Sequence, residues 1–171
     1  LAGVRLHQLD VLNASHLHIM ADTFDSQGMG VDLLIYSAGI REGSLENQVA
    51  TNAEAPFRVI AAMLPAVLRS QWKRVAIITS DLGTKDAATR LRPQCELNAS
   101  DSICAYMHSK YAANQRFRQQ EVGWRRQGII GVALQPGYVS TDMNHGMGKI
   151  TPATSAHGLL RVCEGLLSRD A

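Results

Sequence analysis

The chain has 171 residues, enough for one domain that buries about 70% of the surface its unfolded chain exposes. Hydrophobic residues make up 46% and charged residues 19%, which excludes a disordered, collagen-like or repetitive chain. The formal net charge of +2 is not concentrated in a long basic stretch, so no nucleic-acid partner is predicted. The longest apolar run, residues 59–68, is too short for a membrane span, which needs about 20 residues.

The start of the chain and its cysteines bear on the protein's setting. The sequence begins at Leu1 without an initiator Met or a signal pattern, which predicts that a preceding part of the protein lies outside it. Cys95, Cys104 and Cys163 are odd in number and form no Cys-x-x-Cys pair. This pattern favours free thiols in a reducing cytoplasm over a disulfide framework, with Cys104 as a packed thiol.

The predicted elements alternate between strands and helices. Apolar runs of strand length predict strands within residues 4–11, 31–36, 74–79 and 129–134. Apolar residues at helical spacing predict helices within residues 17–24, 44–70, 104–120 and 152–167. Pro65 would kink the second helix or locally open its hydrogen bonds. The polar stretch 81–102 is predicted to be a long loop or a partly ordered insertion.

Strands without polar alternation, separated by helices, are typical of a parallel sheet with helices on both faces, the doubly wound α/β class. Ligands of such sheets bind beyond the carboxyl ends of the strands. In this chain those ends carry small or polar residues, namely Asp10, Ser37-Ala38-Gly39, Ser80 and Pro136-Gly137. The pattern therefore predicts a ligand site at this edge of the sheet.

Tyr106 and Lys110 are four residues apart on a predicted helix, so both side chains would lie on one face. A phenol with a pKa of about 10 is a poor acid or base at neutral pH until a cation such as Lys110 stabilises the phenolate. A half-buried tyrosine beside a solvated lysine is the alternative interpretation of the spacing alone. Ser80 directly after a buried strand and Asn52 in the preceding helix favour the chemical interpretation.

The histidines do not form a competing site. His16 and His18 are two apart on a helix and point to different faces, and His108, His145 and His157 lack metal-ligand spacing. No metal site is predicted.

Asn52, Ser80, Tyr106 and Lys110, in this order, resemble the short-chain dehydrogenase/reductase family, and the likeness extends from about Leu6 to Leu167. Further segments are similar to family motifs: Asp10-Val11, the Asn-Ala-Gly turn at Ser37-Ala38-Gly39 with Ser37 as a departure, and Pro-Gly-x-Val-x-Thr at Pro136 to Thr141. Residues 52–57, 79–84 and 150–152 look most like the C-factor-like branch.

The resemblance implies a Rossmann-type oxidoreductase that transfers a hydride between NAD(P)(H) and a carbonyl or alcohol substrate. Tyr106 would be the acid/base, Lys110 would lower its pKa, Ser80 would hold the substrate oxygen and Asn52 a water. The implied cofactor contacts are Asp10, Val11, Ser37, Ala38, Gly39, Tyr106, Lys110, Pro136, Gly137, Val139 and Thr141. NADP is favoured over NAD, and a homodimer or homotetramer through the helices of residues 44–70 and 104–120 is implied.

The family's phosphate-binding glycine loop is not found in these residues. The two Gly-x-Gly triplets, 28–30 and 146–148, do not continue to a third glycine. The resemblance implies a first βαβ region before Leu1 and a further strand after Leu167, so residues 1–171 are expected to be one incomplete Rossmann-type domain. An excerpt of a complete reductase is favoured. The alternatives are a short form with weakened dinucleotide binding, and a non-catalytic binding or signalling protein of the same fold.

The segment of residues 84–102 is longer than the corresponding loop of the family. A substrate lid, an oligomer contact and a disordered insertion are the three interpretations that the sequence leaves open.

Overall fold

A computed structural model describes residues 3–97 and 101–168 of the chain. Its centre is a parallel sheet of three strands in the order β1-β2-β3. The strands are β1 (Leu33–Tyr36), β2 (Arg74–Ile78) and β3 (Ile130–Leu134). Ala76 of β2 lies opposite Ile35 and Val132. Because all three strands run the same way, their carboxyl ends open on one edge of the sheet.

Six α-helices connect and cover these strands within the described ranges. They are α1 (Ala14–Ser26), α2 (Leu45–Val49), α3 (Ala55–Arg69), α4 (Lys85–Leu97), α5 (Ser102–Arg126) and α6 (Pro152–Leu166). Side-chain caps mark several of the starts: the Asn13 side chain accepts from Ser15 and His16 amides, and Thr151 accepts from the Thr154 amide. No helix within the described ranges has the length and apolar character needed to cross a membrane.

The sheet is covered on both faces at its central strand, β2, whereas Ile35 of β1 and Ile130 of β3 are exposed. Val75 and Ile77 of β2 point into the main hydrophobic cluster, which side chains of α1, α3 and α5 complete. Ala76 points the other way, into a smaller cluster with Leu134 and Cys163 of α6. The predicted fold class is confirmed in these residues, because the absence of polar alternation in β2 reflects burial on both faces.

The strand predicted within residues 4–11 is wrong. This segment has no regular structure, because no strand among the described residues hydrogen-bonds with it. The backbone amide of Asp10 donates to His16 Nδ1 at 3.0 Å, and the Asp10 carboxylate accepts from the Leu12 amide at 2.9 Å. Val11 is partly buried against the main cluster, whereas Asp10 is exposed.

Of the two interpretations of residues 81–102, the long loop is wrong over most of its length. Asp81–Gly83 form a 3₁₀ turn and α4 then occupies residues 85–97. The Thr84 hydroxyl accepts from the Ala87 amide at the start of α4, and Arg92 pairs with Glu96 one turn later. These local interactions stabilise a helix that has little apolar periodicity of its own. Residues 98–100 lie outside the described ranges.

Cys95 and Cys104 form a disulfide bond between α4 and the first turn of α5. The prediction of free thiols is wrong for these two residues. The number of cysteines is odd because Cys163 is the third cysteine and stays free. The bond closes a short loop of sequence separation 9. It therefore attaches α4 to the helix that carries Tyr106.

We expect Cys95→Ser to lower the free energy of unfolding by about 2–3 kcal/mol, because the short closed loop is released in the unfolded chain. The measurement is urea unfolding of both proteins with and without a dithiol reductant. Reductant should lower the midpoint of the unmodified protein to that of the variant and leave the variant unchanged. A midpoint that does not respond to reductant in the unmodified protein contradicts the crosslink.

Candidate active site

The carboxyl ends of the three strands line a cavity of about 650 Å³. Ser37 and Gly39 follow β1, Ser80 follows β2, and Pro136 and Gly137 follow β3, and all of them line it. The volume lies in the range of small-molecule and cofactor sites. The predicted meeting of these strand ends is therefore found in the structure.

Helix α5 brings Tyr106 and Lys110 to the same cavity. The Asp101 carboxylate caps the helix by accepting from the Ile103 amide at 3.0 Å, which fixes the start of the helix before Tyr106. Lys110 Nζ lies 5.7 Å from the centroid of the Tyr106 ring. The spacing of four residues thus places the phenol and the ammonium side by side.

Lys110 is almost fully buried, with 5% of its surface exposed. Its Nζ donates to the carbonyl oxygen of Ile78, at the end of β2, at 3.0 Å. Burial lowers the pKa of Lys110 to about 8, because the charged ammonium loses its hydration. The side chain therefore exchanges its proton closer to neutral pH than a surface lysine does.

Tyr106 is partly buried, and burial raises the pKa of its phenol above the ordinary value. The Ser80 hydroxyl and the positive charge of Arg41 oppose this rise, whereas the negative charge of Asp81 adds to it. The role that the resemblance implies for Lys110, lowering the pKa of Tyr106, stays a prediction. The balance leaves Tyr106 protonated at neutral pH.

Asn52 lies behind the cavity rather than in its wall, with 2% of its surface exposed. Its amide oxygen accepts from the Ile40 amide at 2.9 Å, and its amide nitrogen donates to Ile40 O at 2.7 Å and to Ser109 Oγ at 2.9 Å. Asn52 therefore fixes the loop after β1 against α5. The water-holding role implied for Asn52 stays a prediction.

The long helix predicted at 44–70 is interrupted at Asn52 and not at Pro65. Ala50–Glu54 form a π-helical turn between α2 and α3, while Pro65 lies inside α3, which continues to Arg69. In this wider turn the Thr51 carbonyl oxygen accepts a hydrogen bond from the Tyr36 hydroxyl at 2.8 Å. Such turns are frequent at functional sites, and this one fixes the position of the Asn52 side chain.

A close contact joins the end of β2 to α5. A Cβ on Gly83 would lie 2.8 Å from the backbone carbonyl of Lys110, so only glycine fits in the 3₁₀ turn there. Asn114, one turn beyond Lys110, donates to Gly83 O at 3.0 Å and accepts from the Thr79 hydroxyl at 2.5 Å. These contacts set the distance between Ser80 and the face of α5 that carries Tyr106 and Lys110.

Comparison with known proteins identifies the family. The family model described as short chain dehydrogenase matches residues 2–150. The chain belongs to the short chain dehydrogenase family. The resemblance drawn from the spacing of Ser80, Tyr106 and Lys110 is confirmed. The C-signal of Myxococcus xanthus is 32% identical over 146 residues, which are 80% of this chain and 82% of that protein.

Two solved structures show the same fold. The NADPH-bound carbonyl reductase from chicken fatty liver is 26% identical, with a TM-score of 0.76 over 90% of this chain and 64% of that chain. A short-chain dehydrogenase/reductase from Burkholderia multivorans with bound NADP is 22% identical, with a TM-score of 0.76 over 92% of this chain and 68% of that chain. The predicted Rossmann-type architecture is confirmed.

In this short chain dehydrogenase the loop after β3 forms the third wall of the cavity. Gly137 has a φ of 83°, which side chains rarely tolerate. Val139 bridges to Ile150, and Ser155 of α6 donates to Pro136 O at 2.7 Å. The loop is therefore attached to the start of α6, and Val139 and Thr141 both line the cavity.

Three of the predicted cofactor residues do not line the cavity, namely Asp10, Val11 and Ala38. Among the lining residues, Arg41 and Asp81 were missed by the sequence analysis. Asn114 was missed too, although its spacing of four residues from Lys110 places it on the same stripe of α5. Within the described ranges, no group of three or more His, Cys, Asp or Glu side chains could hold a metal ion.

Proposed function

We propose that this short chain dehydrogenase transfers a hydride between a nicotinamide dinucleotide and the carbonyl or alcohol carbon of a small molecule. The observation that carries the proposal is the placement of Ser80, Tyr106 and Lys110 around one cavity. The 26% identity to an NADPH-bound carbonyl reductase supports it. The nicotinamide ring supplies the hydride chemistry when the dinucleotide is bound.

Each of the three side chains has a defined task in this proposal. Tyr106 donates its phenolic proton to the carbonyl oxygen in reduction and accepts the hydroxyl proton in oxidation. Burial supports the donor role, because the raised pKa keeps the phenol protonated. Ser80 binds the same oxygen through its hydroxyl. Lys110, with a pKa of about 8, returns a proton to Tyr106, and Asn52 holds a water on that path.

The cavity fits the nicotinamide half of a dinucleotide. Gly39 leaves room at the end of β1, where a Cβ would lie 3.2 Å from Asn52 Oδ1 and 3.6 Å from Lys110 Nζ. In the proposal, Lys110 would hold a ribose hydroxyl of the dinucleotide at this opening. The proposed contacts on the nicotinamide side are Tyr106, Lys110, Pro136, Gly137, Val139 and Thr141, and those on the adenosine side are Asp10, Val11, Ser37, Ala38 and Gly39.

NADP is the cofactor we favour over NAD. NADPH and NADP occupy the two similar structures named above, which supports this choice. In the proposal, residues 1–171 form one Rossmann-type oxidoreductase domain that assembles as a homodimer or homotetramer. Within the helices assigned to this contact, Leu45 of α2 is an exposed apolar side chain that would lie in it.

A non-catalytic signalling role is the second candidate function. The 32% identity to a protein named C-signal favours it. In this alternative the fold and the residues around the cavity persist, while the protein acts through binding alone. The two candidates differ in whether the dinucleotide is bound and consumed.

Fluorescence titration with NADPH and with NADH, followed by aldehyde and ketone turnover assays, tests the proposal. We expect saturable binding, tighter for NADPH, and oxidation of the dinucleotide that depends on the carbonyl compound. Binding of neither dinucleotide contradicts the oxidoreductase and supports the signalling role. Binding without turnover of any carbonyl also supports the second candidate.

A further inference from the structure

Arg41 is a charged residue of the cavity wall that acts on the Tyr106 phenol through its charge and to which the proposed function assigns no substrate contact. It follows Gly39-Ile40 at the end of β1, is half-buried, and lines the same cavity as Ser80 and Tyr106. The Asn52 side chain fixes the backbone of Ile40, the residue before Arg41. It accepts a hydrogen bond from Ile40 N and donates one to Ile40 O. The backbone that carries Arg41 is therefore fixed relative to Tyr106.

The carboxylates of Asp81, which lines the same cavity, and of Asp101 have other partners. Asp81 accepts from the Leu82 amide at 2.9 Å and from the Ser80 hydroxyl at 3.2 Å. Asp101 accepts from the Ile103 amide at 3.0 Å and from Gln94 Nε2 at 2.9 Å. Over the part of the chain that the structure describes, no carboxylate lies within ion-pair distance of Arg41. Its guanidinium is thus free to bind an anion that enters the cavity.

The cavity wall has an apolar part beside its polar side chains. Leu82, Ile103, Met143 and Leu159 all line the cavity. A guanidinium at the edge of an apolar wall binds a planar carboxylate through two parallel hydrogen bonds, and the low local dielectric strengthens this interaction. An apolar body with a carboxylate at one end therefore matches both parts of the wall.

We propose that Arg41 selects carbonyl substrates that carry a carboxylate, with their apolar body against Leu82 and Ile103 and their carbonyl oxygen at Ser80 and Tyr106. This inference rests on the proposed oxidoreductase function and names its substrate class. Arg41 is in this role a specificity-determining residue, because the guanidinium contacts the substrate away from the reacting carbon.

The activity test compares 4-carboxybenzaldehyde with its neutral methyl ester. The readout is the ratio of kcat/KM for the acid to that for the ester, because any effect of the Arg41 charge on Tyr106 alters both values together. We expect Arg41→Ala to lower this ratio by about tenfold to a hundredfold, the loss of one charge-assisted contact. Arg41→Lys should retain part of the preference. Arg90→Ala, which removes one exposed positive charge outside the cavity, should leave the ratio unchanged.

A second readout does not require turnover. Titration calorimetry measures binding of 4-(hydroxymethyl)benzoate and of its methyl ester to each protein, with and without NADP. We expect the benzoate to bind at least tenfold tighter than the ester, and Arg41→Ala to remove this difference. Equal binding of the two compounds, no binding of the benzoate, or parallel weakening of both in Arg41→Ala overturns the inference.

NADPH titration of Arg41→Ala identifies which anion the guanidinium binds. Dinucleotide affinity within twofold of the unmodified protein supports the substrate assignment, whereas a tenfold loss assigns Arg41 to a cofactor phosphate and overturns it. If no carbonyl is turned over while the benzoate still binds through Arg41, the oxidoreductase proposal fails and the carboxylate site stands. If the acid and the ester are both reduced and Arg41→Ala leaves the ratio of their kcat/KM values unchanged, the oxidoreductase proposal stands and the carboxylate site at Arg41 fails.

Discussion

Tyr106→Phe is expected to lower kcat/KM for carbonyl reduction by about 10²- to 10⁴-fold, the range that a positioned general acid supplies. The change removes one hydroxyl and keeps the ring that lies beside Lys110 Nζ. The packing of α5 and the cavity volume should persist, so the loss falls on proton transfer. Dinucleotide oxidation at saturating and at low aldehyde concentration measures kcat and kcat/KM separately.

Tyr111→Phe is the matched control for this variant. Tyr111 is on the same helix and does not line the cavity, so the loss of its hydroxyl should leave turnover unchanged. NADPH affinity should be the same in Tyr106→Phe as in the unmodified protein to within a few fold. Turnover by Tyr106→Phe within about tenfold of the unmodified rate would show that another group donates the proton.

Lys110→Met is expected to abolish the proposed carbonyl turnover and to stabilise the fold. The buried ammonium has a pKa of about 8 against an ordinary value of 10.5, so its charged form is less favourable in the folded chain than in the unfolded one. A methionine of similar length carries no such penalty. We expect turnover to fall by about 10²-fold or more, because Tyr106 loses its proton source.

The stability effect has a defined dependence on pH. Below about pH 8 the penalty is fully present, because Lys110 is charged in both states. As pH rises from about 8 towards 10.5, Lys110 loses its proton in the folded chain but keeps it in the unfolded chain. The free energy of unfolding therefore increases over this range. Between about pH 7 and about pH 9.5 this amounts to a gain on the order of 2 kcal/mol.

Urea unfolding at several pH values measures this gain as the difference between the unmodified protein and Lys110→Met. The difference should be largest near pH 7 and shrink as pH rises. Lys85→Met, which replaces an exposed lysine on α4, should show no such dependence on pH. A constant difference between the unmodified protein and Lys110→Met would mean that Lys110 is not desolvated in the folded chain.

Much of the fold was predictable because its signals are local. The runs at β2 and β3 are apolar at consecutive positions, and the structure has both strands within one residue of the predicted bounds. The burial on both faces that such a run indicates is found in β2, whereas β3 has the exposed Ile130. The strand predicted to end at Asp10 failed because strand formation needs a hydrogen-bonded neighbour, which a propensity pattern does not supply. The helix α4 was missed because capping and ion pairs stabilise it rather than an apolar stripe.

Part of the candidate site was predictable because its signals, too, are local in the sequence. Tyr106 and Lys110 are related by helical spacing, and Ser80 by its position directly after a strand. Arg41, Asp81 and Asn114 were not recovered, because their relation to the cavity depends on how distant segments pack. Asn52 was predicted as a site residue. Its contacts with Ile40 and Ser109 depend on a π-helical turn, which the hydrophobic periodicity of the sequence does not indicate.

By itself the sequence determined the alternation of strands and helices, the parallel sheet and the pairing of Tyr106 with Lys110, since each depends on residues a few positions apart. Only the tertiary structure decided that Cys95 and Cys104 are bonded, that Gly83 must lack a side chain, and that Arg41 lies in the cavity wall. Each of these depends on contacts across α5 or between strand ends, and such contacts exist only once the helices have packed on the sheet.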